Sequence, residues 1–282
     1  AGAAAAPEGG AAAEREDRVP AELPIPGFPP YTRSLQDLDE VFGDDYPLTP
    51  EEVAGLPLIG NYDERFFRAF EKFARGETVR ILILGGSMTA GERCLQKVSG
   101  NLVSLERCAW PTRVVRILHL FFPQTEILLL NLAHRGQTSS AISAGIGLEL
   151  RTLADWELTD LVLMDTSVND AFEATNFWGA NMVSSDSGTS VSIAFEVLVR
   201  SLRELLPNAA LVPITSGCTQ CLQVRPRHME VAAHYGLPVV DFGGLAATRR
   251  NLWLPDVTHP HFQTHQLYAD VIVATWSRAL RE

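Results

Sequence analysis

ILILGGSMTAG, residues 81–91, runs four apolar side chains into a pair of glycines, a serine and a further glycine. Residues 79–84 are apolar but for Arg80, which suits a strand buried on both faces. Such strands belong to parallel sheets covered by helices. The Gly-Gly-Ser break then falls at the C-terminal end of the strand, where open α/β sheets bind ligands. Outward from this stretch the same alternation recurs. Residues 61–75 pattern as a helix with Phe66, Phe67, Phe70 and Phe73 on or near one face. Residues 111–122, with Pro111 in the first turn, and 139–154, 190–206, 223–235 and 261–280 also read as helices. Residues 126–131, 160–165, 209–215 and 238–241 read as strands. Five apolar strands alternating with helices predict an α/β fold, a parallel sheet with helices on both sides.

The chain has 282 residues, enough for one large α/β domain or two small ones. Its 46% hydrophobic and 20% charged content is ordinary for a globular protein. A net charge of −11 argues against a nucleic-acid partner, which calls for a basic face. No apolar run approaches the ~18 residues of a membrane helix. Residues 1–20 are mostly Ala, Gly, Glu and Arg and cannot bury a core, so they are expected to be disordered or a linker. Residues 21–60 are rich in proline and acids and predict an arm with one or two short helices. The remaining 61–282 would form the main α/β domain. The chain begins at Ala1 with no leader stretch, which is compatible with removal of one.

The four cysteines lie at 94, 108, 218 and 221. Cys94 and Cys108 are too far apart for a zinc knuckle, and Cys218-Thr219-Gln220-Cys221 lacks a thioredoxin-like context. No metal and no cofactor is expected. Buried thiols or structural disulfides remain, with the pairing open. The even count and the tight loop around Trp110 point to disulfides and so to a secretory compartment.

Each polar singularity falls after a predicted strand. Ser87 follows the first, Gly136 the second, and Asn169 and Asp170 the third; Asp256 and His259 follow the fifth, in DVTHP at 256–260. A serine needs a base, which His259 can supply near neutral pH. Asp256 can orient that imidazole. The N–H of Ser87, the N–H of Gly136 and the amide of Asn169 can face a developing oxyanion. Alone, each has a plain structural reading as turn, cap or loop. Several neighbours invite weaker readings. Trp110 suits core and helix start; Phe172, Phe177 and Trp178 suit a pocket lining or a cover over the sheet edge. His261 and His265 at i, i+4 suggest exposed or capping residues before they suggest a metal site. His134 could touch substrate or sit in its loop. Asp165 and Asp170 could form a carboxylate pair for glycoside cleavage, but the serine–histidine set is more economical.

Four blocks in order resemble those of the SGNH hydrolases, the GDSL esterase/lipase superfamily. They are Gly85-Gly86-Ser87-Met88-Thr89-Ala90-Gly91, residues 131–139 around Gly136, Val168-Asn169-Asp170, and Asp256-Val257-Thr258-His259-Pro260. The similarity spans about residues 78–280. It implies a flavodoxin-like three-layer α/β/α sandwich with a five-stranded parallel sheet. It also implies metal-free ester hydrolysis, with Ser87 as nucleophile, His259 as base, Asp256 as its partner, and Ser87, Gly136 and Asn169 as oxyanion donors. Two positions depart from the family pattern. Gly86 stands where an aspartate is usual, and Ser167 stands where a glycine is usual, so Ser167 is expected to narrow the oxyanion side or add a hydroxyl to it. The expected activity is a serine esterase acting on short acyl groups, for example acetyl on carbohydrate. An acyltransferase with the same triad, and an inactive glycan- or lipid-binding protein on this fold, are the alternatives.

Overall fold

The apolar run of residues 79–84 becomes the central strand β1 (Val79–Gly85). In the computed structural model the described residues are 46–98, 101–102, 105–176, 185–253 and 258–282. Strands β2 (Ile127–Asn131), β3 (Leu161–Asp165) and β4 (Ala210–Pro213) join β1 in a parallel sheet of order β2-β1-β3-β4. Gly85 pairs with Asp165, Ile83 with Asn131 and Met164 with Pro213, so all four strands end on one edge.

Strand side chains alternate between two cores. Val79, Ile81, Ile83, Leu161, Leu163, Ala210 and Val212 face one; Leu82, Leu84, Val162, Met164 and Leu211 face the other. The first is covered by α1 (Glu64–Ala74), α2 (Trp110–Phe121) and α7 (Phe262–Ala279). The second is covered by α3 (Ser139–Leu150), α5 (Ser185–Leu205) and α6 (Cys221–His234). The phenylalanine face of α1 meets α7: Phe66 and Phe70 approach Trp276 edge-on, with ring centroids 6.3 and 5.6 Å away. Each such pair adds about 0.5–1.5 kcal/mol beyond area burial. Trp110 and Pro111 open α2 with Trp110 wholly in the core, as helix start and packing require.

The expected fifth strand is reduced to single bridges. Val240 pairs with Ile214 in parallel, and Val239 with Ile59 in antiparallel sense. Val240 accepts from Thr215 N–H and donates to Pro213 C=O. No ladder grows beyond this, because Pro238 has no N–H to give and Asp241 turns away to cap the helix Phe242–Thr248. The sheet therefore has four strands, not five. A second difference is α4 (Ser167–Asn176), which starts directly after β3 where the sequence reads as a loop. A third lies after Ser87, whose position between glycines after a strand reads as a strand-to-helix turn: no helix follows, but a series of turns with Gly91 (φ 84°) and Arg93 (φ 60°) in the left-handed region.

Residues 46–60 pack onto the domain. Leu48 and Leu56 are buried in the first core around the short helix Pro50–Ala54, which Thr49 and Glu52 close with a capping box. Residues 1–20 and the first part of the 21–60 arm lie outside the described residues. No described helix is long and apolar enough to cross a membrane.

The cysteines form Cys94–Cys108 and Cys218–Cys221 disulfides. Cys94–Cys108 ties the turns after Ser87 to the start of α2. Buried Arg113 braces the same place, donating to Cys108 C=O (2.6 Å), Gln96 Oε1 (2.6 Å) and Gln266 Oε1 (2.8 Å). Replacing Cys94 and Cys108 together by alanine opens a loop with a sequence separation of 14. Loop entropy sets the expected loss near 3 kcal/mol, read from urea denaturation. A loss below about 1 kcal/mol would mean that the unfolded chain gains little freedom here.

Candidate active site

Parallel strands deliver their following loops to one edge, and hydrogen bonds past the strand ends then align them. The ladder between β1 and β2 continues as Leu132 N–H to Ile83 C=O (3.0 Å) and His134 N–H to Gly85 C=O (3.2 Å). This hangs the loop carrying Gly136 beside the Ser87 turn. Asn131 closes its own strand with an Asx contact to Ala133 N–H at 3.0 Å. Gly136 is in the left-handed region (φ 76°), with open space where a Cβ would be. A side chain there would strain the backbone.

Ser87 is almost buried, and its Oγ lies 2.7 Å from His259 Nε2. These residues are 172 positions apart, so only the tertiary fold joins them. His259 is partly buried. Burial lowers its imidazole pKa below the ordinary value, and the nearby Arg93 and Arg135 guanidiniums lower it further. Asp256 lies outside the described residues, as do Phe177 and Trp178.

Asn169 sits in the first turn of α4 with its side chain against Gly86. A Cβ on Gly86 would come 1.7 Å from Asn169 Oδ1 and 3.5 Å from Gln137 C=O. Three segments thus converge at Gly86: its own turn, the loop of Gly136 and the first turn of α4. Asn169 Oδ1 is buried and has no hydrogen-bond partner among the described residues. An orphaned buried amide oxygen is an acceptor left without a donor, which is costly.

No protein-family model matches the chain, and no curated protein matches it by sequence. Solved structures match it by fold. One is a two-domain esterase active on acetylated mannans, 22% identical, with a TM-score of 0.60 over 81% of this chain. The chain spans only 57% of that protein's length. A GDSL-like lipase from Parabacteroides merdae is 15% identical, covering 70% of this chain and 95% of its own at TM-score 0.53. An acetylxylan esterase from Geobacillus stearothermophilus is 16% identical, covering 70% and 94% at TM-score 0.51. The chain has the fold of an SGNH hydrolase.

Both departures from the SGNH pattern have a structural reason. Gly86 leaves the room that the Asn169 amide occupies. Ser167 does not narrow the pocket, contrary to expectation. It is fully buried and turned inward, its Oγ 3.4 Å from His228 Nδ1 and 3.4 Å from Ser216 N–H. His228, stacked on Phe195, donates from Nε2 to Asp170 Oδ2 at 2.8 Å. Asp170 also accepts from Ser139 N–H (2.7 Å) and Ser139 O–H (2.6 Å), tying the Asn169 loop to the start of α3. A buried histidine that pairs with the residue after Asn169 has no short-range sequence signal.

The carboxylate-pair alternative fails on burial. Asp165 and Asp170 are both buried and committed to internal hydrogen bonds. Asp165 accepts from Ser216 O–H (2.6 Å) and Thr89 O–H (3.1 Å), while burial pushes its pKa up to about 6. Neither faces a cleft where a sugar could lie between them. His261 and His265 separate likewise. His261 is exposed at the N-cap of α7, while His265 is fully buried. His265 Nδ1 accepts from Trp110 N–H at 3.3 Å, and burial lowers its pKa to about 3, so it stays neutral. Among the described residues no three His, Cys, Asp or Glu side chains gather to hold a metal. His134 is mostly exposed, 3.4 Å from Glu149.

One residue of the site went unread in the sequence. Glu92 Oε2 lies 3.6 Å from His259 Nε2 and accepts from Arg135 Nε at 2.9 Å. Its backbone N–H donates to Ser87 C=O at 2.8 Å. The turns after Ser87 swing it back over the site, and spacing alone does not show that.

Proposed function

We propose that the chain is a serine esterase acting on short acyl esters, including acetyl groups on carbohydrate. The observation that carries this is the 2.7 Å contact between Ser87 Oγ and His259 Nε2 at the C-terminal edge of the sheet. That distance is within reach of general-base catalysis. The acetyl-carbohydrate part is supported by the substrates named for the mannan and xylan esterases of the same fold.

The Ser87 hydroxyl donates to neutral Nε2 of His259. Its oxygen attacks the acyl carbon as the proton passes to Nε2. The resulting oxyanion is held by the N–H of Ser87, the N–H of Gly136 and the Nδ2 N–H of Asn169. Collapse breaks the bond to the alcohol oxygen, which takes the proton from Nε2. Water then gives a proton to Nε2 and adds its oxygen to the acyl carbon. The second collapse frees the acid and returns the proton to Ser87. Asp256 orients His259 through Nδ1 in this scheme.

The test is labelling by a fluorophosphonate, with the modified peptide located by mass spectrometry. Label on Ser87 that collapses in His259→Ala is the expected result. A folded wild-type protein that takes no label and turns over no ester would sink the reading.

The pH dependence follows from the same site. His259 must be neutral to act as base, and its pKa is lowered, so the acid limb of kcat/KM should lie below pH ~6.5. Replacing Arg135 by methionine removes a cation and frees the Glu92 carboxylate. Both raise the imidazole pKa, so the limb should move to higher pH. A limb that stays in place would mean that neither charge reaches His259.

A further inference from the structure

Proton delivery fixes where the alcohol half of a substrate must lie. Nε2 of His259 returns its proton to the departing oxygen, so that oxygen sits about 3 Å from Nε2. Glu92 Oε2 lies 3.6 Å from the same nitrogen. From there it can take a hydrogen bond from a hydroxyl on the carbon next to the esterified one. The carboxylate is held there on three sides. Its backbone is bonded to Ser87 C=O (2.8 Å), Arg135 Nε reaches Oε2 (2.9 Å), and Arg135 Nη2 pairs with Oε1. The turns bearing it are stapled by Cys94–Cys108 two residues on. A carboxylate this close to the imidazole gains nothing from a hydrocarbon alcohol. It accepts strongly from hydroxyls, and Arg135 supplies donors beside it.

We infer that Glu92 and Arg135 form a subsite for the alcohol half of the substrate, selecting esters that carry a free hydroxyl next to the esterified oxygen. This rests on the esterase reading and narrows it to polyol and sugar esters. Glu92 is then a specificity-determining residue. A residue that only steadied His259 or the Gly136 loop would affect every ester alike.

The experiment compares two esters of one acyl group, 2-hydroxyethyl acetate and 2-methoxyethyl acetate, with the full chain. Their alcohols differ only by the masked hydroxyl. Wild type should favour the hydroxyl ester in kcat/KM by about tenfold or more, the effect of one hydrogen bond to a charged group. In Glu92→Gln and Glu92→Ala that preference should fall towards one. Equal kcat/KM for the two esters in wild type would overturn the subsite while leaving the esterase intact. So would a uniform fall on both esters in the variants. A wild type that turns over no ester and takes no fluorophosphonate label on Ser87 would remove both readings together.

Discussion

Ser87→Ala should lower ester hydrolysis by about 10⁴-fold or more in kcat, with KM little changed. His259→Ala should do nearly the same, and the double variant should be no worse than either. The reason is geometric. Ser87 Oγ and His259 Nε2 share one 2.7 Å contact, so removing either end removes the same step. Non-additivity is the diagnostic part, because two independent sites would multiply their losses. The measurement is steady-state hydrolysis of an activated acetate by the three variants, with folding checked by thermal unfolding. Losses that multiply in the double variant would separate the two residues and sink the proposed pairing.

Gly86→Asp should also inactivate, although aspartate is the residue SGNH hydrolases usually carry there. A Cβ at Gly86 would stand 1.7 Å from Asn169 Oδ1. The two cannot coexist, and the backbone of Asn169 is held in place by the Asp170 bonds to Ser139 and His228. The amide must therefore swing away. Losing one oxyanion donor costs about 10²–10³ in kcat. Asn169→Ala should cost a similar factor, and Gly86→Asp added to it should cost little more. Activity of Gly86→Asp within about threefold of wild type would mean that Asn169 is not an oxyanion donor.

Much of this was legible before any coordinates. Residues 79–84 read as a strand because β1 is central and apolar on both faces. The loops of Ser87, Gly136, Asn169 and His259 read as site loops because parallel strands end on one edge. What failed to read had specific causes. Residues 238–241 look like a strand by composition, yet a ladder needs donors that Pro238 lacks and a partner length that β4 does not offer. Helix α4 hides because its first turn, Ser167-Val168-Asn169-Asp170, is mostly polar, with Ser167 and Asp170 spent on buried partners. Ser167 looked like a pocket residue, and only the position of His228, 61 residues on, shows that it faces inward.

The sequence by itself determined the class of sheet, the edge at which chemistry can occur, and the residue types available there. Those follow from local pattern: apolar runs, glycine breaks and strand-end polarity. The tertiary structure decided which groups meet. It set Ser87 against His259, turned Ser167 inward, made Gly86 a clearance for Asn169 and brought Glu92 to 3.6 Å from the imidazole Nε2. Those outcomes depend on distances between segments far apart in the chain or on the path of irregular turns. Neither is encoded in periodicity, because a contact at hydrogen-bond range is settled only when the whole core has packed.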